Sequence, residues 1–161
     1  MLRRVVSAAA RELQSLSTNS DLSTYGKPPG PIIVHDLAHV RAALAAAADL
    51  GVAVTLTSAP DAAAYLGSGA FKAMIDLGRR EFPQVPLTAV LDCGDAPGLA
   101  LGALRIGIPA VRLHAAPDVL ARVADIAGQL GAVLDTDDRP GLDLARERDP
   151  EAACRRWLAP L

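Results

Sequence analysis

The stretch Leu87-Thr88-Ala89-Val90-Leu91-Asp92-Cys93-Gly94-Asp95 runs from aliphatic and β-branched residues into a polar, glycine-containing turn. A strand covered on both faces reads this way as it emerges at the edge of a parallel sheet. Outward from it the same pattern recurs at Ile32-Ile33-Val34, Val52 to Thr57, Ala110 to Leu113 and Ala132 to Leu134. The intervening segments have helical spacing: Leu37, Val40, Leu44 and Ala47 form one apolar stripe that ends at Asp49-Leu50-Gly51. Pro97 and Pro117 suit a first helical turn, and Gly107 and Gly131 suit the position just past a helix end. Asp149-Pro150 opens a short C-terminal helix that includes Trp157. The expectation is an α/β fold of about five parallel β/α units, as a partial TIM-barrel-like sheet or an open flavodoxin-like one.

Residues 31–161 read as a single α/β domain, since 161 residues suffice for one substantial core. Residues 1–30 differ: Arg3 to Leu16 can form a helix, followed by a Ser-rich stretch and the stiff Gly26-Lys27-Pro28-Pro29-Gly30-Pro31. That segment is either a helix packed on the domain or a mobile tail, and its composition favours partial mobility. With 51% hydrophobic and 21% charged residues the chain is expected to fold. A net charge of −2 and 3% aromatics give little to attract or stack nucleic acid. The longest apolar run, Ala42 to Ala48, is far short of a membrane span. Two cysteines without repeated spacing, and no secretory signal, fit the cytoplasm.

In parallel α/β folds the carboxyl ends of the strands share one side, where ligands bind. Collected there are His35 and Asp36; Thr57, Ser58 and Asp61; Asp92, Cys93 and Asp95; His114; and Asp135, Asp137 and Asp138. Much of this is what helix capping requires, and Asp61, Asp95 and Asp118 suit caps or first turns. Asp92 directly follows an apolar run, so it is the candidate acid/base, with anchoring of the next loop as its structural alternative. Cys93, His114 and Asp135 are the candidate ligands for a divalent metal such as zinc, although a lone buried cysteine is more often a small hydrophobe. His35, Ser58, the backbone of Gly67-Ser68-Gly69, and Asp95 are candidate ligand-binding positions, the glycine segment by presenting amides to an anion. No G-x-G-x-x-G follows the first strand and no G-K-[ST] occurs.

The segments Thr57 to Gly67, Ala70 to Asp76, and above all Leu87 to Gly94 resemble the class II, metal-dependent fructose- and tagatose-bisphosphate aldolases, which are (β/α)8 barrels. The similarity runs over about Ile32 to Leu134, the first part of such a barrel. Leu91-Asp92 is similar to the Leu-Asp of the family's His-Leu-Asp-His motif, and the resemblance implies a proton-transfer role for Asp92. Val90 and Cys93 stand where that motif has histidines, the second a metal ligand, and His114 stands where an aspartate ends the next strand. The family's later histidines and Gly-rich phosphate loops have no counterpart.

Five parallel strands cannot close an eight-stranded barrel, so an exposed sheet edge is expected to be covered, and a homodimer is the favoured way. Two functions follow as expectations. The first is a non-catalytic descendant of the aldolase barrel that binds a small anionic metabolite or a protein partner, without a cofactor. The second is a lyase-like enzyme using Asp92, with Cys93, His114 and Asp135 holding metal or substrate.

Overall fold

The computed structural model describes residues 29–160. The helix expected over Arg3 to Leu16 and most of the following linker lie outside the described residues. Six strands, β1 (Ile32–Val34), β2 (Val54–Ser58), β3 (Leu87–Asp92), β4 (Ala110–Arg112), β5 (Val133–Leu134) and β6 (Leu142–Asp143), form one sheet in the order β5-β4-β3-β2-β1-β6. Every pairing is parallel. The helices are α1 (Leu37–Leu50), α2 (Ala62–Tyr65), α3 (Ser68–Glu81), α4 (Pro97–Arg105), α5 (Pro117–Gln129) and α6 (Pro150–Leu158). No described helix is long and apolar enough to cross a membrane.

The order β1 to β5 never reverses, and that separates the two architectures left open above. Right-handed crossovers between consecutive neighbours place every crossover helix on one face, as in a barrel wall. A doubly wound sheet needs a reversal to cover both faces. The sixth strand, which corrects the count of five, pairs with β1, so β5 and β6 lie at opposite edges. Flat, those edges would be about 24 Å apart, and the connection from Leu134 to Leu142 reaches at most about 28 Å if fully extended. That connection is not extended: Asp137 Oδ1 accepts the Arg139 amide at 3.0 Å across a tight turn. The sheet therefore curls, so that β5 and β6 lie closer than the edges of a flat sheet would. Along the way the Asp137 carbonyl accepts from Arg112 of β4, while Arg139 Nη1 donates to the Pro29 carbonyl below β1, so the connection runs across the open side of the curl.

The outer face carries the core. Ile32, Leu56, Ala89, Leu91 and Val111 are all fully buried, and with Val40, Leu44, Phe71 and Ala103 of the helices they form one apolar cluster. Alanines at Ala43, Ala46, Ala47, Ala100 and Ala103 let helices lie close to the strands. Gly78 shows how tight this is, because a Cβ there would come within 2.8 Å of Leu44 and Val40 on α1.

The helix punctuation falls where expected. Asp36 and Asp149 accept the amides of His39 and Ala152, and Pro97, Pro117 and Pro150 occupy first-turn positions. Gly51, Gly107 and Gly131 end helices in the left-handed region. At all three the next residue's amide bonds back into the helix: Val52 to Ala47, Ile108 to Ala103 and Ala132 to Ala127. Val52 and Ala132 thus belong to helix caps, and β2 and β5 begin later than their apolar patterns suggest.

Candidate functional site

Register assigns each strand residue to a face, since parallel partners share a side and successive residues alternate. The inner face, away from the helices, holds Ile33, Thr57, Val90, Ala110 and Val133 in its middle layer. Asp92 and Arg112 pair in register one layer above, at the carboxyl ends.

Asp92 is 4% exposed and ties the ends of β2 and β3 together. Its Oδ1 accepts the amides of Asp61 at 3.0 Å and Gly94 at 2.9 Å, and its own amide donates to Ser58 Oγ at 2.9 Å. Ser58 in turn donates to the Ala59 carbonyl at 3.1 Å. The knot forces unusual backbone: Asp61 has φ 59 and Gly94 φ 56. A Cβ at Gly94 would sit 2.0 Å from Asp61 Oδ1, so only glycine fits. The turn is joined to β4 by Cys93 N donating to the Arg112 carbonyl and His114 N to that of Gly94. Asp92 Oδ2 accepts no hydrogen bond among the described residues, yet it is no orphaned buried atom, so it meets solvent.

Cys93 follows Asp92 and alternation turns it to the outer face, where it is 2% exposed in the apolar core. Its Sγ donates to the Leu91 carbonyl at 3.6 Å. Burial, aided by the Asp92 charge, pushes the thiol up to about 12, so it is protonated at neutral pH. His114 is exposed. Asp135 is held by Arg112, whose Nη2 and Nε donate to its Oδ2 at 2.6 and 3.0 Å. Cys93, His114 and Asp135 are thus not brought together, and no group of three or more His, Cys, Asp or Glu among the described residues is placed to hold a metal ion.

The other candidates scatter. His35 Nε2 meets Asp143 Oδ1 at 2.7 Å, joining β1 to β6, and its amide donates to His39 Nδ1 at 3.2 Å. Burial opposes ionisation of Asp143, but hydrogen bonds from His35 and the Ala145 amide, with the charges of His35 and Arg146, hold its carboxyl below the usual value. Asp137 is held down to about 2, first by the Arg139 hydrogen bonds. Gly67 stands at the start of α3 with φ 85, and Ser68 and Gly69 form the helix's first turn. Asp95 is exposed, and Ala96, not Asp95, occupies the cap of α4; Asp61 stands before α2 without a side-chain cap bond. Two site residues escaped the sequence reading. Arg112, a lone cation in an apolar strand, was a usable signal; Asp143 lies in a two-residue strand that has no readable pattern.

No family model matches the chain, and no curated protein matches it. Among solved structures 44 chains match. One is a protein of Coccidioides immitis assigned as a fructose-1,6-biphosphate aldolase, with a TM-score of 0.55 and 18% sequence identity. The match covers 70% of this chain and 46% of that one, so this chain spans about half the length of its structural neighbour. At that identity the likeness is one of fold. The curled, consecutively ordered parallel sheet is an aldolase-like fold.

Proposed function

We propose that this chain is a non-catalytic protein derived from the first part of an aldolase barrel, that it works as a homodimer joined along β5 and α5, and that its strand carboxyl ends hold a small anionic metabolite. The β5 edge carries the reading. β5 has a neighbour on one side only, and Val133 on it is 57% exposed. Leu130 and Ile126, just before it, are also large exposed apolar residues. An unpaired edge flanked by apolar surface favours pairing with another chain, and a twofold partner offers the same patch in return. At the strand ends Arg112 is the cation expected to meet the anion, in exchange for part of its contact with Asp135. Asp92, matching the aldolases' proton-transfer residue, spends one oxygen on two loop amides.

Sedimentation equilibrium tests the dimer. Twice the monomer's 16.6 kDa is expected for the wild type, and the monomer mass for Val133→Glu. A wild type that is monomeric at about 100 µM overturns the reading.

A second reading is favoured by the free Oδ2 of Asp92: a lyase-like enzyme with Asp92 as acid/base. Elemental analysis of protein purified without chelator, beside Asp92→Asn, tests its metal-dependent form, since Cys93 is sealed in the core on the other face. Stoichiometric metal in the wild type that is lost in the variant supports that form; absence of metal from both removes it.

A further inference from the structure

We infer that the cleft between α3 and the amino ends of β3 and β4 binds a small monocarboxylate with a compact apolar body. The cleft has a volume of about 260 Å³ and lies away from Asp92, since Gly107, Ile108 and Pro109, which line it, lead into the start of β4. Its floor is apolar: Phe71 is fully buried, Ile75 and Ile108 nearly so, and Ala89 contributes a single methyl from the outer face of β3. Small residues there make the space, because Gly107 leaves room beside the Lys72 stem, whose Cε lies 3.7 Å from where a Cβ would stand.

The rim supplies the charge. Lys72, Asp76 and Arg79 line one side of α3 at helical spacing. Lys72 Nζ lies 2.6 Å from Asp76 Oδ2, so those two charges match. Arg79 donates Nη2 to the Leu87 carbonyl at 3.2 Å and has no carboxylate partner among the described residues. The rim thus presents one unmatched guanidinium, positioned by a backbone carbonyl, with donors left over. A guanidinium binds a carboxylate through two parallel hydrogen bonds, whereas a phosphate dianion would exceed the single charge offered. Size sets the rest of the ligand. A cavity of about 150 Å³ holds benzene, so this one takes a ring plus a short carboxylate arm, and it is smaller than the roughly 300 Å³ at which drug-sized pockets begin.

Phenylacetate titrated into the ¹⁵N-labelled full chain tests the site. Saturable amide shifts at Lys72, Gly107 and Ile108 are expected, with a Kd of about 1 mM for so small a ligand. Arg79→Gln, at an exposed position, should weaken binding about ten-fold, and 2-phenylethanol, which lacks the charge, should bind the wild type about ten-fold more weakly than phenylacetate. Ala89→Val should abolish binding by filling the floor while the far-UV circular dichroism is kept. Shifts that fail to saturate, that map to Asp92 and His114, or that persist unchanged in Arg79→Gln overturn the inference.

Discussion

The two faces of the sheet are written in the same strands one residue apart, yet they do different work. Outward go Ile32, Leu56, Ala89, Leu91 and Val111, all buried under helices. Inward go Ile33, Thr57, Val90 and Ala110 in the middle layer, with Thr55 and Thr88 toward the amino ends and Asp92 and Arg112 at the carboxyl ends. One face is an apolar core; the other is exposed at Thr88, buried at Thr57, Val90 and Ala110, and ends in hydrogen-bonded charges. The consequence is that side chains adjacent in sequence have opposite fates, Asp92 and Cys93 most clearly. A carboxylate and a thiol that look like one motif are turned to opposite sides by the pleat.

The largest effect expected from breaking this division is on the outer face. Leu56→Ala removes a fully buried side chain and leaves a cavity between sheet and helices, so it should cost about 3 kcal/mol in urea unfolding. Thr55→Ala, one residue away and half-buried on the inner face, should cost under about 1 kcal/mol. Equal losses at the two positions would mean that the inner face is packed as tightly at the layer of Thr55 as the outer face is at Leu56.

Next comes the Asp92 knot. Asp92→Ala strips the acceptor from the amides of Asp61 and Gly94 and should cost about 2 kcal/mol. Asp92→Asn keeps an acceptor at Oδ1 and should cost less than about 1 kcal/mol. If Asp92→Asn were as damaging as Asp92→Ala, charge and not anchoring would be what the position needs.

Much of the fold was legible. Unbroken apolar runs revealed β1 and the start of β3 at their observed positions, and proline and glycine marked the helix ends. What blurred was local: the cap amides of Val52 and Ala132 look like strand residues because the same aliphatic side chain serves both. β6 was illegible because Leu142 and Asp143 are placed by pairing with β1, a contact made across more than a hundred residues of sequence. The site was half legible. Asp92, His35 and Ser58 do lie at strand ends, but which residues meet depended on side-chain direction, and composition at an edge does not encode that.

Acid should loosen the inner face before the outer one. Asp137, held to about 2 by Arg139, has a folded pKa below its ordinary 3.8. A depressed carboxyl contributes stability that is complete above the unfolded value and is lost as pH falls from about 4 to about 2. Asp143, also lowered, adds in the same direction. Unfolding midpoints measured from pH 5 downward should therefore fall less steeply in Asp137→Asn than in the wild type. Cys93 works at the other extreme: its thiol is raised from 9.0 to about 12, so its share of stability is complete below pH 9 and is lost as pH climbs toward 12.

The smallest expected effect is the sharpest test of where the inner face stops being an interior. Thr88 is exposed on that face at the amino end of β3, in register with Thr55 of β2. In a closed barrel this layer would be packed, and replacing the hydroxyl with a methyl would alter stability by more than 1 kcal/mol in one direction or the other, a rough figure for repacking a filled interior. In the curled but open sheet Thr88→Val exchanges one β-branched strand former for another in water, and the unfolding free energy should stay within about 0.5 kcal/mol of the wild type. The converse substitution, Ala89→Thr, puts a hydroxyl on the apolar outer face at a fully buried position and should cost about 2 kcal/mol. A difference of that size between neighbouring residues is what a sheet requires whose outer face is sealed at Ala89 while its inner face is buried only from Thr57, Val90 and Ala110 onward.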